Sequence, residues 1–161
     1  GRTFSAPSAH RPTAARTKEA VFSILQFSIE GRCVLDLFAG SGQMGLEALS
    51  RGAKSSVFVD NSAKAAEIIR KNAEKTHLLD KCRIERGDFT EKLQRLSGEK
   101  FDIVFIDPPY AAGVIPDALR ALKRGENLKS TSYVVCEAGD DGAFFGGDAE
   151  LEASFAKLPR C

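Results

Sequence analysis

The most informative stretch of this sequence reads Val34-Leu35-Asp36-Leu37-Phe38-Ala39-Gly40-Ser41-Gly42-Gln43-Met44-Gly45. An apolar run leads into a turn that contains Gly40 and Gly42, and the residues after the turn suit a helix. Glycine accepts a positive φ at little steric cost, so a ligand can approach bare backbone there. The helix behind the turn would offer free N–H groups at its N-terminus. The stretch therefore predicts a buried strand, a ligand-binding turn and a helix.

A second informative stretch, Asp107-Pro108-Pro109-Tyr110, directly follows the apolar run 101–106. It is predicted to lie at the carboxyl end of a strand, as the glycine turn does. Ligands bind at that edge of open α/β sheets. The two stretches together predict a single site.

Strand-like and helix-like segments alternate along the chain. The predicted strands are 33–38, 55–59, 82–86, 101–106 and 133–136, and the predicted helices are 13–27, 44–51, 62–75 and 114–122. This alternation predicts a doubly wound α/β fold, with a mostly parallel sheet, right-handed crossovers and helices on both faces. The short, basic strand 82–86 is expected near an edge. Residues 1–12 are predicted to be an extended arm, because Pro7 and Pro12 exclude a helix.

The composition is that of one globular domain. The 161 residues are 43% apolar and 28% charged, which argues against disorder. No apolar run approaches the ~20 residues that span a bilayer, and no signal peptide opens the chain, so we expect a cytoplasmic protein that does not enter a membrane. The four cysteines are scattered without a C-x-x-C pair. Three of them lie in or beside predicted strands and are expected to be small core residues in a reducing compartment, and no metal site is expected.

The charge is unevenly distributed. The net charge is only +1, which argues against a strongly basic nucleic-acid binder. Residues 1–32 carry five basic and two acidic side chains, whereas residues 137–161 carry two basic and six acidic ones. A basic amino-terminal arm could contact phosphates, and an unevenly charged solvated surface explains the same pattern equally well.

Gly40-Ser41-Gly42-Gln43-Met44-Gly45 also matches the dinucleotide fingerprint G-x-G-x-x-G, with Asp60 at the end of the next strand. Asp36, just before the turn, would repel a pyrophosphate and attract a cofactor that carries an amino group and a sulfonium. Asp107-Pro-Pro-Tyr has no evident role in hydride transfer. A nicotinamide-dependent oxidoreductase and a nucleotide-binding module without catalysis remain alternatives.

The order of the motifs Asp36-Leu-Phe-Ala-Gly-Ser-Gly42, Asp60, Gly87-Asp88-Phe89 and Asp107-Pro-Pro-Tyr110 resembles that of S-adenosylmethionine-dependent methyltransferases acting on exocyclic amino groups. The segment Arg11-Pro12-Thr13-Ala-Ala-Arg16-Thr-Lys18-Glu19-Ala-Val-Phe22 is similar to the opening helix of the bacterial 16S rRNA guanine-N2 methyltransferases, the small-subunit methyltransferase D family. The resemblance covers roughly residues 1 to 137.

This resemblance implies a Rossmann-like class I methyltransferase fold and the cofactor S-adenosyl-L-methionine. It also implies methylation of a guanine N2 amino group in 16S rRNA, within an assembling small ribosomal subunit, by a monomer. An adenine-N6 methyltransferase on DNA or RNA is the alternative within the class, since it shares the Asp-Pro-Pro-Tyr motif. The only methionine is Met44. Relatives carry a strand pair before the position of Gly1 and a strand hairpin after that of Cys161, so both ends are expected to be trimmed.

The resemblance also assigns roles to individual residues. The residues expected to bind the cofactor are Asp36, Phe38, Ala39, Gly40, Ser41, Gly42, Asp60, Asn61, Asp88, Phe89 and Thr13. The residues expected to be catalytic are Asp107, Pro108, Pro109 and Tyr110, and those expected to contact the RNA are Arg11 and Arg16. Two alternatives stay open: Asp60 could cap the helix after it, and Gly87-Asp88 could be a plain turn.

The chemistry of Asp107-Pro-Pro-Tyr110 suits amino methylation. The exocyclic nitrogen of guanine is a poor nucleophile because its lone pair is delocalised into the ring. Acceptors on its two N–H bonds, the Asp107 carboxylate and a backbone carbonyl of Pro108-Pro109, could aim that lone pair at the methyl group. Proline fixes φ and removes donors, so this backbone presents acceptors in a rigid geometry. Tyr110 offers a face for base stacking, worth ~1–3 kcal/mol.

Overall fold

The computed structural model describes residues 2–7, 14–108 and 114–138. Its strands are β1 (Arg2–Pro7), β2 (Cys33–Leu37), β3 (Ser55–Asp60), β4 (Cys82–Arg86), β5 (Phe101–Ile106) and β6 (Leu128–Ala138). Its helices are α1 (Ala14–Leu25), α2 (Gln43–Ser50), α3 (Ala63–Lys75), α4 (Phe89–Arg95) and α5 (Val114–Arg124), with a 3-10 turn at Leu79–Lys81. The predicted alternation of strands and helices is confirmed.

The six strands form one sheet in the order β1-β6-β5-β2-β3-β4, and every pairing between them is parallel. The chain runs from β2 outward through β3 to β4, and then returns to the other side of β2 to form β5. The strand order therefore reverses between β2 and β5. Such a switch point opens a crevice at the carboxyl ends of the strands, where ligands bind.

Successive side chains of the central strands face opposite layers of helices. Leu35 and Leu37 of β2 belong to a core with Leu93 of α4 and Leu119 of α5. Val34 faces the other layer, formed by α1, α2 and α3. A strand buried on both faces needs mostly apolar residues, which explains the apolar runs at 57–59 in β3 and 103–106 in β5. The expectation of helices on both faces is confirmed.

The amino-terminal segment differs from its prediction. Residues 2–7 form a strand rather than a merely extended arm, because β6 supplies a partner for their backbone, with Arg2 opposite Tyr133 and Pro7 opposite Ala138. β6 itself begins at Leu128, five residues before the predicted start. The expected edge position is confirmed for β4, whose only neighbour in the sheet of described strands is β3.

Two further features concern helices and thiols. Within the described ranges, no helix is both long and apolar enough to cross a membrane. Cys33, Cys82 and Cys136 are free thiols, and Cys136 is fully buried, as predicted for a small core residue. Burial raises the pKa of the Cys136 thiol to about 12. Cys161 lies outside the described residues.

Candidate active site

The glycine turn, Asp60 and Asp107 lie at one edge of the sheet. Leu37 at the end of β2 pairs with Val59 of β3 on one side and with Ile106 of β5 on the other. The residues that follow these three strand positions are therefore neighbours at the carboxyl edge. The glycine turn and Asp107, the first residue of the second stretch, meet at the switch point.

The two central glycines of the turn serve different purposes. Both have positive φ values, +58° at Gly40 and +79° at Gly42. A Cβ added to Gly40 would meet nothing within 4 Å, whereas one added to Gly42 would lie 3.0 Å from Cγ1 of Ile69 and 3.3 Å from Cε1 of Phe58. Gly40 thus borders open space that a ligand can enter, and Gly42 allows α2 and α3 to pack closely.

Several backbone N–H groups of this turn are engaged within the protein. The N–H of Gly40 donates to Oδ2 of Asp60 at 2.9 Å, and the N–H of Gly45 donates to Oδ2 of Asp36 at 3.0 Å. The N–H of Gly42 donates to the carbonyl of Ala39 at 2.8 Å. The expectation of free N–H groups at the start of the helix is therefore wrong for Gly45, whose N–H is bound by Asp36. The acidic residues Asp36 and Asp60 use two of these three N–H groups to order the turn.

Asp36 is a buried carboxyl group beneath this turn, with a relative exposure of 3%. Burial raises its pKa, the nearby Asp107 and Asp60 raise it further, and the hydrogen bond from Gly45 lowers it, so that the pKa reaches about 8. A cation that entered the crevice would stabilise the ionised form of Asp36, whereas an anion would oppose ionisation. The electrostatics of the site thus favour a positively charged ligand.

Asp60 joins the turn to the start of α3. Its Oδ1 accepts the N–H of Ser62 at 2.9 Å, and its Oδ2 accepts the N–H of Gly40. The side chain that caps α3 belongs to Ser62, which accepts the N–H of Ala65, so the helix-capping alternative for Asp60 is not what the structure shows. Each carboxylate oxygen can accept a second hydrogen bond, and Asp60 is only half-buried. It can therefore order the turn and still bind ligand hydroxyls.

Asp88 caps a helix that the sequence did not predict. Its carboxylate accepts hydrogen bonds from the backbone N–H, at 2.7 Å, and from the hydroxyl of Thr90, and these bonds lower its pKa. Glu91 follows three residues after this cap, and this acidic pair is the signal that could have located α4. The half-buried rings of Phe38 and Phe89 are 5.1 Å apart between centroids. They form an apolar wall beside the turn.

The remaining predicted residues are described to different extents. Asp107 is exposed and Pro108 is buried, while Asn61 is exposed beside Asp60. The backbone of Arg16 lies in α1. The positions outside the described residues are Arg11, Thr13, Pro109 and Tyr110. Among the residues that the structure does describe, no group of three or more His, Cys, Asp or Glu side chains could hold a metal ion.

The sequence interpretation missed Asn72, a half-buried residue of α3. Its side-chain Nδ2 donates to the carbonyl of Ser41 in the glycine turn at 3.1 Å. No local pattern distinguishes this asparagine from a solvated helix residue, since only the packing of α3 against the turn brings the two together.

Known proteins resemble this chain in both sequence and structure. A family model described as Conserved hypothetical protein 95 matches residues 1–156. A Haemophilus influenzae protein named Ribosomal RNA small subunit methyltransferase D is 34% identical over 139 residues, which cover 81% of this chain and 69% of that protein. The chain spans about two thirds of the length of such curated relatives.

Two solved structures extend this similarity to the fold. A conserved hypothetical protein of Streptococcus pyogenes is 36% identical, with a TM-score of 0.68 and coverage of 74% of each chain. The Trypanosoma brucei PRMT1 enzyme-prozyme complex with AdoHcy is 25% identical, with a TM-score of 0.59, over 78% of this chain and 38% of that one. The parallel sheet, its switch point and these relatives lead to one conclusion: the chain belongs to the Conserved hypothetical protein 95 family and to that of the small-subunit rRNA methyltransferase D proteins, and it has the Rossmann-like class I methyltransferase fold.

Proposed function

We propose that this protein uses S-adenosyl-L-methionine to methylate the exocyclic N2 amino group of a guanine in 16S rRNA. The observation that carries the proposal is the arrangement of Asp36, Asp60 and Asp107 around one glycine turn, at the ends of three neighbouring strands. The relatives named as small-subunit rRNA methyltransferases support it.

The residues of the crevice fit S-adenosylmethionine. Asp36 suits a ligand with a positive charge, Asp60 can accept hydrogen bonds from ribose hydroxyls, and Gly40 leaves space beside the turn. Phe38 and Phe89 offer apolar surface for a purine ring. When bound there, the cofactor would supply a methyl group activated by a positively charged sulfur. The same acidic surroundings disfavour the pyrophosphate of a nicotinamide cofactor.

Asp107 is the residue proposed to orient the amino group of the substrate. It is exposed at the end of β5, where an incoming base can reach its carboxylate. An N–H of the guanine amino group would donate to this carboxylate, which turns the nitrogen lone pair away from the ring. When N2 gains a methyl group it must also lose one proton, and Asp107 is the acceptor that we assign to it. Pro108 has no N–H to compete for the same acceptor.

The RNA contacts proposed for this protein involve the basic amino-terminal segment. Arg11 and Arg16 would neutralise phosphates near the crevice, with the target nucleotide unpaired and placed against Asp107 and Tyr110. We further propose that the substrate is an assembling small ribosomal subunit in the cytoplasm, and that the protein acts as a monomer.

A methylation assay on unmodified small ribosomal subunits and on naked 16S rRNA tests this function. The expected product is one N2-methylguanine, formed by the wild-type protein and not by Asp107→Ala. A matched control is Asp80→Ala, since Asp80 is an exposed aspartate in the 3-10 turn. Methyl groups on adenine N6 would instead support the adenine alternative. Binding of S-adenosylhomocysteine without methylation of either RNA would support a binding module, and binding of NAD alone would support an oxidoreductase.

A further inference from the structure

Asn72 lies on α3, outside every motif that the sequence singled out, and its side chain reaches the glycine turn. We infer that Asn72 is a positioning residue, which holds the peptide group between Ser41 and Gly42 in the orientation that the cofactor needs. The inference rests on the proposed function, because it assumes that this turn binds S-adenosylmethionine.

The peptide group between Ser41 and Gly42 is held from both sides. Its carbonyl accepts the hydrogen bond from Nδ2 of Asn72 at 3.1 Å, and its N–H donates to the carbonyl of Ala39 at 2.8 Å. The C=O and N–H of a peptide point in opposite directions within one rigid plane. Two bonds at opposite ends therefore fix the rotation of the whole plane. Without the Asn72 side chain, the hydrogen bond to Ala39 would restrain this peptide plane from one side alone.

Two other contacts make α3 a support for this turn. Ile69, one helical turn before Asn72 and on the same face, packs against Gly42, where an added Cβ would lie 3.0 Å from its Cγ1. Near the N-terminus of the helix, Asp60 connects the N–H of Ser62 to the N–H of Gly40. Asn72 adds a direct hydrogen bond from the helix to the backbone of the turn.

The loss of this hydrogen bond should appear in cofactor affinity rather than in the chemical step. A turn that samples several orientations must be ordered by the incoming ligand, which raises the apparent Kd in inverse proportion to the fraction of time that the competent orientation is populated. One net hydrogen bond corresponds to a loss of about 3- to 10-fold. The orientation of the substrate amino group is assigned to Asp107, at the end of a different strand, so kcat should stay within about 2-fold of the wild type.

The folding of α3 itself should tolerate the substitution of Asn72. Alanine is a better helix former than asparagine, and the residue lies in the interior of α3, so the gain in propensity offsets part of the lost hydrogen bond. The thermal midpoint of Asn72→Ala should therefore lie close to that of the wild type. Asn72→Asp provides a second variant of nearly the same shape that cannot donate when it is ionised.

The experiment is a calorimetric titration of the full chain with S-adenosylhomocysteine, combined with KM and kcat for S-adenosylmethionine in the ribosomal assay. We expect Asn72→Ala to raise both Kd and KM about 3- to 10-fold, and Asn72→Asp to raise them at least as much. Lys75→Ala, an exposed position in the last turn of the same helix, is the matched control and should leave both unchanged. A wild-type protein that binds no S-adenosylhomocysteine would refute the proposed function itself.

Amide hydrogen exchange at Gly42 gives a second readout in the protein without ligand. The N–H of Gly42 should exchange faster in Asn72→Ala than in the wild type, while amides in the centre of β5 stay equally protected. Cofactor affinity equal to the wild type in both Asn72 variants, or unchanged exchange at Gly42, would overturn the inference and leave the proposed function intact.

Discussion

Replacing Asp36 by asparagine should change how the free energy of unfolding depends on pH. Asp36 is buried under the glycine turn, and its pKa rises from the ordinary 3.8 to about 8. Between these two values the unfolded chain has lost the proton of this carboxyl group and the folded chain still holds it. Stability from this group is therefore fully present below about pH 4 and is lost as pH rises through about 8.

The size of this effect follows from proton linkage. A difference of one bound proton changes the free energy of unfolding by up to about 1.4 kcal/mol per pH unit, so the wild type should lose about 2–3 kcal/mol between about pH 5.5 and about pH 7.5. Glu47, Asp88 and Asp102 have lowered pKa values, so they are ionised in both states across this window and contribute no slope. The amide introduced by Asp36→Asn would still accept the N–H of Gly45 but could not ionise.

The measurement is urea unfolding of the wild type and Asp36→Asn at three pH values within that window. The wild type should become less stable as pH rises, and Asp36→Asn should show little slope. Glu47→Gln serves as the control, since it removes the partner of Lys18 and Arg51 and should lower stability by a similar amount at each pH. Parallel curves for the wild type and Asp36→Asn would refute the assignment of a raised pKa to this carboxyl group.

Three further predictions concern the same edge of the sheet. Asp107→Ala should bind S-adenosylhomocysteine almost normally and lose about 10²- to 10⁴-fold in single-turnover methylation; near wild-type turnover would exclude it from catalysis. Gly40→Ala should abolish cofactor binding; its positive φ should cost only about 1–2 kcal/mol of stability, since the added Cβ meets open space. Gly45→Ala should lower the thermal midpoint, because its Cβ would overlap the buried ring of Phe58. Equal thermal midpoints for the two variants would contradict this contrast. Arg16→Glu should weaken RNA binding in filter assays at low salt more than at high salt, and an effect independent of salt would argue against a phosphate contact.

The central strands were predictable because each is a short apolar run with a turn after it. β5 was predicted with its observed bounds, and β2 and β3 to within a residue, because burial on both faces makes most of their positions apolar. The position of the ligand-binding edge of the sheet could be predicted from where the strands end in the sequence. The family resemblance then supplied the identity of the cofactor, which no periodicity could give.

Other features depended on contacts between distant segments. β1 carries alternating polar residues and Pro7, and it becomes a strand only because β6 offers a parallel partner. The raised pKa of Asp36 depends on the depth of its burial, and the function inferred for Asn72 depends on where α3 packs. α4 is the exception, since Asp88 and Glu91 frame its start in the sequence, but its seven residues are too few for a clear helical period.

The pairing of β1 with β6 has a consequence for how the protein is made. During synthesis β1 leaves the ribosome before the other described strands, yet its partner in the sheet is the last of them. β1 must therefore wait, exposed, until the strands between them have folded, and closure of such a distant contact is slow. Its docking would add the last of the described strands to the edge of the sheet. A newly made chain would thus acquire the first strand of its sequence as a late event of folding.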